Sequence, residues 1–322
     1  PNLVFTFIAA NRDRWMGMAC LLLIFSTLIR GGSAREAKHP VFVGAKVCAE
    51  CHQGPDFGYQ QCQMLLHAHS QAYASLAIPE AKEIARLSGI PQEPQQSPVC
   101  LGCHATASDA EDWEKDETFH IEDGVQCEMC HGPGSEYMEE SVMVDRQAAR
   151  AAGLRMPAKS DCMTCHKVKG SHVAVIQSPK FDVDKAWELL AHPTPGAWGY
   201  MEPAPLPPRA SDVTLRYIGS VMCGSCHKGP RMGYQYSKWR MGPHARAYAV
   251  LGTEKAREIA DKAGLRGDPL AAPACLKCHA TAFADPAGGP AESYSIYEGV
   301  GCESCHGAGS DFAVEAIMRD PP

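Results

Sequence analysis

The sequence predicts a mainly α-helical protein with extensive loops, built as two tandem copies of one module. Three observations carry that prediction. A five-residue pattern, Cys-x-x-Cys-His, occurs seven times in 322 residues, and its cysteine spacing suits one turn of helix. Three occurrences repeat at a fixed displacement: Cys48, Cys100 and Cys127 recur as Cys223, Cys275 and Cys302, each 175 residues on. Between the motifs, glycine and proline are abundant and no alternating strand pattern stands out, which suits short helices joined by loops.

The elements follow in chain order. Arg12, Arg14 and Trp15 precede an apolar run from Met16 to Ile29, and Gly32, Ser33 and Ala34 follow it. A basic flank, a short apolar core and small residues read as a signal peptide over 1–34. The run is too short to span a bilayer comfortably. An uncleaved anchor, giving membrane association through the N-terminus, is the alternative. The chain opens on Pro1 rather than methionine, so its start is expected to be incomplete or to lie at Met16 or Met18.

The first module occupies 35–205 and holds four motifs, the last at Cys162. Its clearest helix runs from Pro79 to Ser88 and stops at Gly89. A second amphipathic stretch, Ala186 to His192, ends at Pro193. Residues 193–212 contain six prolines, the composition of a stiff, extended linker. The boundary is placed there, near residue 205. The second module, 206–322, holds three motifs. Its helix begins after Thr253, a good N-cap, and ends with Gly264 at C′. The equivalents Gly44/Gly219, Pro55/Pro230, Tyr59/Tyr234, Ala72-Tyr73-Ala74/Ala247-Tyr248-Ala249 and Gly124-Val125/Gly299-Val300 keep the displacement of 175 without a gap. A fourth motif would fall at 337, so the second module is expected to be cut short at Pro322.

The motif itself specifies chemistry. Its thiol pairs are Cys48/Cys51, Cys100/Cys103, Cys127/Cys130, Cys162/Cys165, Cys223/Cys226, Cys275/Cys278 and Cys302/Cys305. Each is followed by a histidine: His52, His104, His131, His166, His227, His279 and His306. Two thiols one turn apart can add across the two vinyl groups of a haem, and the next residue then lies under the ring with its imidazole toward the iron. A zinc knuckle or a dithiol redox pair uses Cys-x-x-Cys but needs no histidine after it. With 14 histidines in 322 residues, seven such neighbours by chance have odds on the order of 10⁻¹⁰. The sequence therefore calls for seven covalently bound c-type haems.

These motifs use fourteen of the sixteen cysteines. Cys20 lies in the N-terminal apolar run, and Cys62 reads as a small core residue. Export agrees with the motifs, because c-type haem is attached outside the inner membrane; the expected location is periplasmic or otherwise exported. The net charge is −7, and haem propionates add to it. No basic run points to nucleic acid. An acidic surface favours basic redox partner proteins. Aromatic residues make up only 7%, so the porphyrins must supply much of the core, and no stable fold is expected without them.

Seven histidines lie outside the motifs. A second imidazole makes a haem six-coordinate and suited to electron transfer, whereas an open position can bind a small molecule. His69 and His244 are the leading distal ligands, because both stand in His-Ala/Ser-x-Ala-Tyr-Ala-x-Leu at the same displacement. His192, ending its amphipathic stretch, is the third. His39, His67, His120 and His172 stay outside the set.

Several segments together resemble the cytochrome c-554 (c-554/c-prime, cytochrome c-552/4 domain) family of multihaem c-type cytochromes. They are Gly124-Val125-x-Cys127-Glu128-x-Cys130-His131-Gly132-Pro133-Gly134-Ser135 with its twin from Gly299 to Ser310, the Cys-x-x-Cys-His-Ala-Thr-Ala runs at Cys100 and Cys275, the His-x-x-Ala-Tyr elements, and Trp187 with His192. The resemblance covers 44–193 as a four-haem unit and 219–322 as most of another. It implies a mainly α fold built around stacked haems and a role in electron transfer in the periplasm. One departure stands out: the family often places a histidine shortly after Gly-Pro-Gly-Ser, where this chain has Tyr137 and Phe312. The second module also has Ser295 in the place of His120, leaving His244 as its spare histidine.

The leading functional expectation is a carrier passing electrons along its haems between a quinol-linked donor and a terminal reductase or oxidase, without catalysis of its own. The alternative is a multihaem oxidoreductase acting on a small nitrogen or sulfur compound at a five-coordinate haem. Against it, no Cys-x-x-Cys-Lys motif and no separate catalytic cluster appear.

Overall fold

The computed structural model describes residues 39–177, 179–192, 207, 214–284 and 288–319. The predicted signal segment and the domain boundary near residue 205 lie outside them. Residues 40–322 form one compact unit, mainly of short helices, and each module repeats the other's elements. Every motif sits on a helical turn. Three lie within the helices Pro98–His104, Cys127–His131 and Pro273–His279. In the other four, the motif histidine donates its N–H to the first cysteine's carbonyl, at 2.9 Å for His52, 3.0 Å for His166, 2.8 Å for His227 and 3.1 Å for His306. Proline opens the helices at Pro98 and Pro273 at a position where the missing N–H costs nothing.

The two expected helices form at Pro79–Leu87 and Glu254–Lys262. Each ends before a glycine with positive φ, 67° at Gly89 and 70° at Gly264. Thr253 caps the second through its hydroxyl, which accepts the Ala256 N–H at 3.2 Å. The stretch before His192 is the helix Val183–Leu190.

One element escapes the sequence pattern. Arg216–Tyr217 pairs in parallel with Gly289–Pro290, and the first module has the equivalent bridge from Phe42 to Lys115. Two residues are too few for a period of two to show. A buried carboxylate ties each bridge to a motif. Glu128 accepts the N–H groups of Val43, Gly44 and Gly134 at 2.9, 2.8 and 2.8 Å. Glu303 repeats this with Ile218, Gly219 and Gly309 at 2.8, 2.8 and 2.7 Å.

The modules pack reciprocally. The Gln60–Leu66 helix of the first meets Ala249–Gly252 of the second, while Gln235–Met241 of the second meets Ala72–Ser75 of the first. Cys62 and Leu65 therefore enter one core with Tyr217, Tyr248, Leu251 and Leu276. Side-chain contacts obey the same exchange. The Tyr234 hydroxyl donates to Glu93 at 2.7 Å, with Lys82 Nζ 5.1 Å from the Tyr234 ring centroid. In mirror image, Tyr59 lies beside Asp268 and the Arg257 guanidinium lies 4.9 Å from the Tyr59 centroid. An interface in which each copy offers the same patch is isologous, as in a two-fold dimer.

Candidate haem-binding sites

All fourteen motif cysteines have at least partial exposure, whereas Cys62 is buried. Burial pushes the Cys62 thiol up to about 12. It therefore stays a neutral core group, as its sequence context implies, while the motif thiols are accessible for thioether formation.

The two thiols of a pair are not alike. In the second module Cys223, Cys275 and Cys302 are half-buried, but Cys226, Cys278 and Cys305 are exposed, as is Cys51 in the first module. The cause is helical geometry. Three residues carry the second thiol about 300° around the turn, off the packed face that the first one touches. The chain neighbours Ser225, Lys277 and Ser304 are exposed with them, and so is His306. Cys226, Cys278 and Cys305 thus stand at the module surface, open to attachment, and not in its core.

The motif imidazoles are set up by their second nitrogen. His104 donates Nδ1–H to the Ala72 carbonyl at 2.9 Å, and its equivalent His279 donates to the Ala247 carbonyl at 2.6 Å. His131 Nδ1 meets the Arg155 carbonyl at 2.9 Å, and His52 Nδ1 meets Gln60 Oε1 at 2.6 Å. A carbonyl acceptor obliges the proton to sit on Nδ1, which leaves the Nε2 lone pair for a metal. Burial is the first cause holding His52, His104, His131 and His166 below the ordinary imidazole range. Neutral imidazole is the ligating form. The sequence contains no signal for Gln60 or the Arg155 carbonyl, because these partners are set by tertiary packing.

Two of the expected distal histidines stand opposite motif histidines. The ring centroids of His69 and His166 are 6.0 Å apart, and those of His192 and His131 are 5.9 Å apart. A ligating nitrogen lies about 2 Å from a metal and about 1 Å from its own ring centroid, so two imidazoles on opposite sides of one iron have centroids about 6 Å apart. Both pairs have the spacing of a bis-imidazole iron. His69 is pushed down to about 4 by burial first, then by His67 and His166. Its Nδ1 is buried without a hydrogen-bond partner. His192 Nδ1 lies 2.8 Å from Gln60 Nε2, so Gln60 links the His52 and His192 rings.

His244 is exposed at the start of a single turn, His244–Arg246. His67 stacks 4.5 Å from His69, and His39 is exposed. His120 faces a cleft shared with Lys46, Asp123, Arg240 and Glu298, which no motif cysteine or histidine lines. Tyr137, standing where the family often has a histidine, donates to the Gly132 carbonyl at 2.7 Å, and burial raises its phenol. That tyrosine braces the third motif's loop. Among the described residues no three His, Cys, Asp or Glu side chains gather as a metal site made of protein alone. Imidazoles presented singly or in facing pairs, beside accessible thiol pairs, fit iron held in a porphyrin.

Attachment points of different motifs also lie near one another. The thiols of Cys48 and Cys127 neighbour each other and influence each other's titration, as do Cys223 with Cys302 and Cys103 with Cys165. The Cys165 thiol additionally reaches the Gly102 carbonyl at 4.0 Å.

Comparison with known proteins identifies a family. The profile of the family described as cytochrome c554 and c-prime matches residues 47–132 and again 222–307, the displacement seen in the motifs. Cytochrome c-554 of Nitrosomonas europaea (strain ATCC 19718) is 36% identical over 99 residues, which is 30% of this chain and 40% of that protein. The chain thus spans less than half the length of this relative. No solved structure matches. With the two profile matches together covering more than half of its residues, the chain belongs to the cytochrome c554 and c-prime family, as a tandem of two family modules.

Proposed function

We propose that the protein is an exported, periplasmic carrier that passes electrons along seven covalently bound haems, from a quinol-linked donor to a terminal reductase or oxidase. Membership of the family makes it a c-type cytochrome engaged in electron transfer. The observation that supports a chain of haems is the nearness of thiols of different motifs. Haems bonded to Cys48 and Cys127, to Cys223 and Cys302, and to Cys103 and Cys165 have neighbouring attachment points. When bound, the haems supply the redox chemistry. The chain's own residues fix each ring by its thiols and orient each imidazole through Nδ1. His69, His192 and His244 are the distal ligands of this reading, and the motif histidines the proximal ones.

The net charge of −7 favours partners with basic docking faces. Among the described residues no helix is long and apolar enough to cross a membrane, and anchoring through 1–34 remains part of the proposal. A reductive titration of the holoprotein tests the reading: seven electrons per chain are expected, with transfer to a cationic partner that slows as salt rises. Uptake of far fewer electrons would sink it. A second reading, turnover of a small nitrogen or sulfur compound at a five-coordinate haem, draws on the second module, where His244 is the one spare histidine for three motifs. High-spin iron together with substrate-dependent turnover would favour it.

A further inference from the structure

Gln60 holds two imidazoles from different parts of the first module, and it cannot treat them alike. It opens the helix Gln60–Leu66. There the Gln61 N–H donates to the His52 carbonyl at 3.1 Å, which brings the helix start beside the first motif. The Gln60 amide then reaches the His52 ring on one side and the His192 ring on the other. Its Oε1 lies 2.6 Å from His52 Nδ1, and its Nε2 lies 2.8 Å from His192 Nδ1. His192 in turn faces His131, the histidine of the third motif, with ring centroids 5.9 Å apart.

A histidine bound to a metal through one nitrogen almost always donates a hydrogen bond from the other. His52, His104, His131 and His279 meet that condition, because each has an oxygen at Nδ1. His192 does not. The Gln60 NH2 group at its Nδ1 can only donate. In a neutral ring that accepts this bond the proton sits on Nε2, the atom that would take the iron. Moving the proton to Nδ1 frees Nε2 but sets an N–H against the amide N–H. Turning the amide over passes the same conflict to His52, since an amide has one oxygen and here lies between two rings. His52 is better placed to keep that oxygen. It is half-buried, with its ring edge-on to Phe57 at 5.4 Å between centroids, whereas His192 is exposed beyond the end of Val183–Leu190.

We propose that Gln60 is a positioning residue that favours His52 over His192, and so makes His192 an exchangeable sixth ligand on the iron of the third motif. The assignment rests on reading His131 and His192 as the two axial ligands of that iron. With no competitor His192 occupies the position, and a small ligand of ferric iron displaces it. The haem of the third motif is then an electron carrier that also admits a small molecule.

The test is a cyanide titration of the oxidised holoprotein and of its Q60E and H192A variants. Optical and paramagnetic resonance spectra follow it, with haem content measured on the same samples. A carboxylate accepts from both rings, so Q60E should weaken cyanide binding at one haem by about tenfold or more. H192A should bind as many cyanides as the unmodified protein, one of them about tenfold or more tighter, because the competing imidazole is gone. Equal cyanide affinities in Q60E and the unmodified protein overturn the proposal. An H192A variant that binds one cyanide more than the unmodified protein also overturns it, since His192 would then be firmly held. If Q60E assembles with fewer haems, the H192A comparison decides. If His192 binds no iron, H192A matches the unmodified protein in spin state and in every cyanide affinity. That result overturns the ligand reading itself and is distinct from both results that overturn the bridge.

Discussion

At the scale of single residues, what one ring nitrogen of a motif histidine does leaves the other free to take a metal. The Ala72 and Ala247 carbonyls hold His104 and His279 in one tautomer, and the facing partners are spaced for a shared metal. His69→Ala and His192→Ala should each turn one low-spin iron high-spin, on the haems of His166 and His131 respectively. Paramagnetic resonance checks this; unchanged spectra in both variants would show that the pairs do not share an iron. Glu298 gives a residue-scale prediction about stability. Burial holds its carboxyl up at about 7, against 4.5 in the unfolded chain. The native state therefore keeps a proton between those values that the unfolded state has lost. Stability falls as pH rises through that window, by up to about 3 kcal/mol. Denaturation midpoints of Glu298→Gln should fall less than those of the unmodified protein between pH 4.5 and 7. Parallel curves would contradict the assignment. The motif histidines could be read from the sequence as candidate proximal ligands because thioether chemistry demands thiols and imidazole within five residues. The outward set of Cys226, Cys278 and Cys305 could not, because spacing gives the turn but not the face it buries.

At the scale of elements, the recurring Gly-Val pair before the third motif has a clear physical cause. Gly124 has φ 76°, and a Cβ there would sit 2.8 Å from the His69 carbonyl oxygen; at Gly299, with φ 64°, the distance to the His244 carbonyl is 2.6 Å. Only glycine permits this approach, which lets Val125 and Val300 donate to those same carbonyls at 3.0 Å. The pair thus pins each histidine segment to the strand of chain leading into a motif. The Glu128 carboxylate does similar work by gathering three N–H groups from two segments. Glu128→Ala would leave them buried and unmet. A loss of about 3 kcal/mol or more is expected in chemical denaturation, and a loss under about 1 kcal/mol would show that water replaces the carboxylate. The short bridges that this carboxylate ties down were invisible in the sequence, whereas the helices at 79–87 and 254–262 announced themselves by period, cap and terminal glycine.

At the scale of the whole molecule, the two modules pair like a dimer joined in one chain, but the exchange is not symmetric everywhere. Arg240 meets Asp123 at 3.2 Å, with side chains 8% and 17% exposed. The equivalent pair across the interface is Leu65 with Glu298. Lys228 meets Glu122 where the mirror position has Gln53 with Tyr297. Such differences favour pairing of the first module with the second over pairing of either with itself. Arg240→Leu should cost about 3–5 kcal/mol by stranding the Asp123 charge, and adding Asp123→Leu should recover most of it; a double variant no more stable than the single would show that the charge pair is not what the interface requires. The displacement of 175 was plain in the sequence, but the reciprocal docking was not, because a repeat says nothing about which faces meet. The central claim, that this tandem is a frame for seven covalent haems, is tested most directly by the intact mass of the mature holoprotein under denaturing conditions. The account predicts a mass greater than that of the polypeptide by seven haems. A fully matured protein carrying five or fewer would contradict it.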